Sequence, residues 1–249
     1  MIEIKDIAKS FGDNTVLKGI SCELRQGETN LIIGGSGTGK SVLLKCTIGL
    51  IRPDSGSILY NGRSFYQSDK EGQQAIRREM GVLFQGGALF DSQTVHQNVQ
   101  FPLDMLTSMP LDEKRDRVQF CLQRVGLENT GKLMPSEISG GMKKRVAIAR
   151  AIVMNPKYLF CDEPNSGLDP LTGVKIDELI REITDEYKIT TVVITHDMNS
   201  VMEIGDNVIF LYKGRKLWEG DNDAILHTDV KELKEFIFAN KLLREMRDS

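Results

Sequence analysis

The sequence predicts an α/β fold, and three observations carry the prediction. Short apolar runs of buried-strand type, at residues 31–33, 158–161 and 191–195, are separated by long stretches with helical spacing. The first run passes through Gly34-Gly35-Ser36-Gly37-Thr38-Gly39-Lys40-Ser41 straight into Val42-Leu43-Leu44-Lys45, a strand, a glycine-rich loop and a helix start. In that context the pattern G-x-x-x-x-G-K-[ST] is a phosphate-binding loop. The length, 249 residues, suits one large α/β domain or a core with a subdomain.

Each residue type in the loop has a physical job. Glycines let the backbone bend so that several N–H groups aim at one phosphate chain, and the positive end of the helix adds to the attraction. Lys40 is placed to reach the β- and γ-phosphates, and the Ser41 hydroxyl to sit on Mg²⁺.

Composition narrows the class. Net charge is −3, with basic and acidic residues interspersed, so there is no basic stripe for nucleic acid and no polybasic membrane patch. Cys22, Cys46, Cys121 and Cys161 lack C-x-x-C spacing and read as reduced thiols of a cytosolic protein. The first residues read as a strand and not as a signal peptide. No apolar run approaches the ~18–20 residues that span a bilayer, so a membrane role requires other subunits to do the spanning.

In chain order, residues 2–11 and 16–24 alternate around Gly12-Asp13-Asn14, an antiparallel hairpin. Phe11 stands at its end, where a ring can stack on a purine or serve as a rim aromatic. Residues 28–33 are the buried strand and 40–50 its helix. Pro53-Asp54-Ser55-Gly56 breaks the chain before a strand at 57–60, and Asn61-Gly62 signals a hairpin turn. Residues 69–78 read as a polar helix and 81–84 return to the sheet. Gln85 follows, where a polar side chain can meet a metal or attacking water, or be an ordinary loop residue.

From Gly86 to Glu137 the spacing is helical, over 95–101 and 111–125, with Pro102 and Pro110 as punctuation. This predicts an inserted helical subdomain, about 86–154. Ser139-Gly140-Gly141 then feeds a helix whose first N–H groups, beside the Ser139 hydroxyl, form a second anion site. Lys143-Lys144-Arg145 reads as a solvated charged face. The strand at 158–161 ends in Asp162, suited to hold Mg²⁺, and Glu163, suited to polarise water and accept its proton. After a helix over 171–187, the strand at 191–195 ends at His196, within reach of a γ-phosphate. Residues 207–212 and 216–219 make a last hairpin. The tail, about 229–249, is an amphipathic helix over 230–246 with Leu233, Phe236, Ile237 and Leu243 on one face, packed on the domain or its twin.

The stretch Ile138-Ser139-Gly140-Gly141-Met142 and its helix resemble the signature motif of ATP-binding cassette (ABC) ATPases, usually Leu-Ser-Gly-Gly-Gln. With the phosphate loop, Asp162-Glu163, Ser166-Gly167-Leu168-Asp169 and His196 in family order, the resemblance runs over 1–249 as a single domain. It implies a P-loop NTPase fold with a RecA-like core, an antiparallel β subdomain and the inserted helices. It implies ATP hydrolysis with Mg²⁺, with Glu163, His196 and Gln85 at the chemistry and Ser41, Gln85 and Asp162 at the metal. Phe11, the loop from Gly34 to Ser41, Ser139, Gly140, Gly141 and Asp169 would contact nucleotide. Partners implied are a second copy, head to tail with each ATP between the loop of one and the signature of the other, and a transmembrane permease.

Met142 departs from the usual Gln and cannot offer its amide hydrogen bonds. Residues 84–91 and 132–142 are similar to the Mla-type phospholipid-transport ATPases, which share that Met. That similarity implies an MCE-domain partner and a place on the cytoplasmic side of the inner membrane. Two other readings are an importer ATPase for a small solute, such as an amino acid or metal, and a soluble cassette protein of translation or repair. Against the soluble protein stand the single cassette, the missing basic face, and an insert too short for long coiled coils.

Overall fold

The structure is a computed structural model that describes residues 1–238. Side-chain alternation builds the first sheet: β1 (Ile2–Phe11) turns into β2 (Asn14–Leu24), and Ile2, Ile4, Ile7, Leu17, Ile20 and Leu24 are all buried. β3 (Thr29–Ile33), buried throughout, enters the glycine loop and α1 (Lys40–Thr47). The helix stops short of residue 50 because Gly49 adopts φ +77° and the Leu50 N–H turns back to the Lys45 carbonyl. β4 (Ser55–Tyr60) and β5 (Arg63–Ser64) meet across Asn61-Gly62, both at positive φ, giving the antiparallel order β2-β1-β4-β5. α2 (Lys70–Arg78), capped by Asp69, leads to β6 (Met80–Leu83).

Next come α3 (Val95–Leu106), α4 (Leu111–Arg124), a 3₁₀ turn (Pro135–Glu137) and α5 (Gly140–Ile152). Pro102 does not punctuate: it lies inside α3, where Val95, Val99 and Leu103 are buried at helical spacing and a Thr94/Gln97 capping box starts the helix firmly. β7 (Tyr158–Asp162), α6 (Pro170–Tyr187), β8 (Thr190–Thr195), α7 (Met198–Ile204) and the hairpin β9 (Asn207–Tyr212) and β10 (Arg215–Gly220) complete the second sheet. Its order is β10-β9-β3-β8-β7-β6, parallel except at β10. A 3₁₀ turn (Ala224–His227) and α8 (Lys231–Ile237) follow. Leu233 and Ile237 of α8 are buried and the Phe236 ring lies 5.5 Å from that of Phe210; the expectation for Leu243 falls outside the described residues.

Alternate strand residues serve different layers. Leu31, Ile33, Leu159, Cys161 and Val193 face a core shared with the helices from α3 to α7, while Ile32, Phe160, Val192 and Ile194 face one shared with α1 and the first sheet. Against β6 the approach of α5 is close enough that a Cβ on Gly81 would stand 2.2 Å from the Ala151 carbonyl oxygen. All four cysteines are free and buried, and burial pushes the Cys22 thiol up to about 12 and those of Cys46 and Cys121 to about 11. No helix among the described residues is long and apolar enough to cross a membrane.

Candidate functional site

Parallel strands deliver their carboxyl ends to one edge of the sheet, where α/β folds bind ligands. Beyond β3 lies the glycine loop, beyond β6 Gln85, at the end of β7 Asp162 and Glu163, and beyond β8 His196. Gly35 to Ser41, Gln85, Glu163 and His196 line one cleft of about 1180 Å³. Gly34 sits at φ +145°, where a Cβ would stand 2.3 Å from the Leu211 carbonyl oxygen, so only glycine lets the loop lie against β9. Lys40, 7% exposed, donates to the carbonyl oxygens of Gly34 at 2.7 Å and Gly35 at 2.9 Å. Burial lowers its pKa, and Glu163 and Asp162 oppose that shift. Gly39 starts α1 without a side-chain cap, so the first-turn N–H groups are available to an anion.

The Ser41 hydroxyl donates to Asp162 Oδ1 at 3.4 Å, setting two hard oxygen donors side by side under the loop. Burial first, then the Glu163 charge, raises the Asp162 pKa. This donor pair fits Mg²⁺, which takes one or two protein ligands and completes its shell with phosphate oxygens and water.

Glu163 is the focus of the cleft. Its Oε2 accepts from Gln85 Nε2 at 2.9 Å and its Oε1 lies 3.1 Å from His196 Nδ1, so the three side chains meet. Gln85 Nε2 also reaches Ser166 Oγ at 3.3 Å. The Glu163 backbone takes φ +47°, rare for a residue with a Cβ, and is held by its N–H to Ile194 O at 2.9 Å and by Ser166 N–H to its own carbonyl at 3.1 Å. A carboxylate so fixed at the mouth of a phosphate cradle can orient a water and take its proton.

Ser139, Gly140, Gly141 and Asp169 stand elsewhere, in a second cleft of about 620 Å³ shared with Arg145, Leu168 and Lys175. Ser139 Oγ accepts from Met142 N–H at 3.2 Å and so caps α5 itself. Asp169 caps α6, accepting from Thr172 N–H at 3.0 Å and Thr172 Oγ1 at 2.6 Å. Gly167 lines both clefts. Phe11 is 49% exposed with the Lys9 ammonium 5.6 Å from its ring centre, and its hairpin reaches the first cleft through Asn14 and Val16.

Sequence reasoning missed several residues. Lys144 does not belong to a solvated face: it is 6% exposed, and its Nζ donates to the carbonyl oxygens of Gln85 and, at 3.4 Å, Glu163. The signal was there, since helical spacing places 144 on the stripe of Ala147, Ile148 and Ala151. Asn165 Nδ2 donates to Asp177 Oδ2 at 2.7 Å and to Ser200 Oγ at 3.1 Å, tying the loop after Glu163 to α6 and α7. Phe236 and Ile237 of α8 also line the first cleft.

The ABC transporter family profile matches residues 17–166. The chain is 39% identical over 241 residues to a probable ribonucleotide transport ATP-binding protein, Mkl, of Mycobacterium leprae, covering 97% of this chain and 70% of that protein. It is 44% identical to the methionine import ATP-binding protein MetN of Clostridium tetani, covering 98% and 76%. With the intermembrane phospholipid transport ATP-binding protein MlaF of Haemophilus influenzae it shares 33% identity, covering 95% and 90%. Among solved structures, the ATP-binding cassette MJ0796, a dimer bound to ADP and Pi after hydrolysis, superposes with TM-score 0.80 at 32% identity, covering 89% of this chain and 99% of that one. CbiO1 of Clostridium perfringens, part of the transporter complex CbiONQ, superposes with TM-score 0.84 at 33% identity, covering 99% and 98%.

Proposed function

This chain belongs to the ABC transporter family of ATPases, and we propose that it energises an Mla-type phospholipid transporter. As an ABC ATPase it binds ATP with Mg²⁺ and hydrolyses it. The observation that carries the assignment of roles is the Glu163 carboxylate, bridged by Gln85 and His196 at the mouth of the phosphate cradle. Lys40 would exchange its loop carbonyls for β- and γ-phosphate oxygens, and Ser41 and Asp162 would hold Mg²⁺. That ion neutralises charge on the phosphates when bound. Glu163 accepts the proton of the attacking water while Gln85 and His196 orient the carboxylate and the γ-phosphate.

The second cleft supplies the other half of a composite site. Two copies pair head to tail, the signature turn of one closing over the glycine loop of the other, an arrangement supported by the dimeric cassette with the same fold. The subunit then works on the cytoplasmic side of the inner membrane, gripped by a permease and associated with an MCE-domain protein. Similarity to MlaF and the Met142 signature support the lipid reading. A second reading, a small-solute importer, is favoured by the 44% identity to MetN.

Two experiments test these points. Glu163→Gln retains ATP binding, accumulates as an ATP-bound dimer and turns over roughly 10²–10⁴-fold more slowly; turnover near the original rate removes Glu163 from the role. Purification of the chain with its native membrane partners yields an MCE-domain protein if the cargo is lipid. Recovery of a permease with a solute-binding protein instead decides for the importer.

A further inference from the structure

Lys144 has no place in the roles above, yet it is the cation that reaches behind them. It projects from the second turn of α5, the helix whose N-terminus carries Ser139, Gly140 and Gly141. Its single ammonium spans the carbonyl oxygens of Gln85 and Glu163, the two residues whose side chains bond to each other at 2.9 Å. Further along α5, Arg150 donates to the carbonyl oxygens of Gly87 at 2.6 Å and Ala88 at 2.7 Å. The loop from Gln85 to Ala88 is therefore fastened to α5 at three carbonyls, and Glu163 at a fourth.

Packing alone does not call for a cation here. Methionine would fill the same stripe beside Ala147, Ile148 and Ala151 without desolvating a charge. Burial pushes the Lys144 pKa down, and the Cys161, Glu163 and Asp162 groups oppose it. What a methionine lacks is the donor. Glu163 needs donors on its carbonyl, because a left-handed backbone at a residue with a Cβ persists only where its surroundings over-determine it.

We propose that Lys144 is a positioning residue for hydrolysis: acting through the backbone of Gln85 and Glu163, it makes the signature helix and the general base of the same chain move as one unit. Closure of the signature turn on the nucleotide of a second copy is thereby felt at the chain's own Glu163, so each composite site reports to the other. The proposal rests on the reading of Glu163 as general base.

The test compares Lys144→Met, Lys144→Gln and Lys144→Arg in the full chain, by steady-state ATP hydrolysis, binding of a fluorescent ATP analogue and thermal melting. Lys144→Met lowers kcat by about 10-fold or more, as for small misplacements of a reacting group, while KM and analogue binding stay within about 2-fold. Lys144→Arg and Lys144→Gln, which keep a donor, regain part of the rate, the charged one more. In a Glu163→Gln background Lys144→Met costs nothing further, because there is no working base left to position. An unchanged kcat in Lys144→Met overturns the proposal. So does a loss that follows the melting temperature equally in all three variants, which is packing alone. If Glu163→Gln by itself keeps full turnover, the reading of Glu163 fails first, and that control separates the two failures.

Discussion

A carboxylate buried as deeply as that of Asp177 has to keep its proton or meet a cation. Its hydrogen-bond partners among the described residues are neutral: Asn165 Nδ2 at 2.7 Å and Ser200 Oγ at 2.8 Å, both on Oδ2, while Oδ1 is buried without one. Burial raises its pKa to about 6, the two hydrogen bonds opposing. The unfolded value is near 3.9, so the folded chain binds the proton more tightly. That contribution to stability is present in full below about pH 4 and is lost as pH rises through about 6. Asp177→Asn removes this titration. In urea melts, its stability relative to the parent rises by on the order of 2 kcal/mol between pH 4 and pH 7.5, and parallel profiles would refute the account. None of this was legible beforehand, because Asn165, Asp177 and Ser200 are brought together only by the packing of α6 and α7. The glycine loop, by contrast, was legible residue by residue, since all its parts lie within one turn of chain.

The segment between β6 and α3 illustrates what elements add. The buried side chain of Asn98 accepts from the Phe90 N–H at 2.8 Å and donates to the carbonyls of Phe90, Gln93 and Thr94 at 3.1, 3.0 and 3.0 Å. One amide thus pins the loop backbone to α3. Phe90 is nevertheless 41% exposed, with its ring centre 4.7 Å from that of Phe101, while Leu89 lies against the helical core. An exposed aromatic ring on a pinned backbone, backed by half-buried Phe101, suits a partner helix better than it suits solvent. Phe90→Asp is expected to melt within a degree or two of the parent yet lose co-purification with the permease; Leu89→Asp is expected to lower Tm by several degrees. Full retention of the permease by a stable Phe90→Asp variant would exclude this contact. Periodicity found the helices of this layer but placed a break at Pro102. It weighed the local cost of a proline and could not weigh the burial of Val95, Val99 and Leu103, which outbids it.

Taken whole, the molecule exposes two clefts, and Gly167 lines both. If the halves belong to different copies of one dimer, lesions on opposite sides complement. Lys40→Ala damages the cradle and Ser139→Arg the signature, so each homodimer has two defective sites, whereas the mixed dimer concentrates both defects in one. A one-to-one mixture should recover on the order of a quarter of parental hydrolysis, half the dimers being mixed with one sound site each. Forced heterodimers with no recovery would argue against composite sites, provided one sound site can turn over alone. Sequence motifs suggested this pairing, but that the signature residues stand in a cleft apart from the glycine loop is a fact of the tertiary structure. The four buried thiols have a practical consequence at this scale. A maleimide meets no reactive cysteine on the native protein, so a cysteine introduced at Asp112, whose side chain is 93% exposed on α4, would be labelled alone. One such label on each subunit turns the pair into a molecular ruler, able to time how long the two copies stay clasped in each round of ATP consumption.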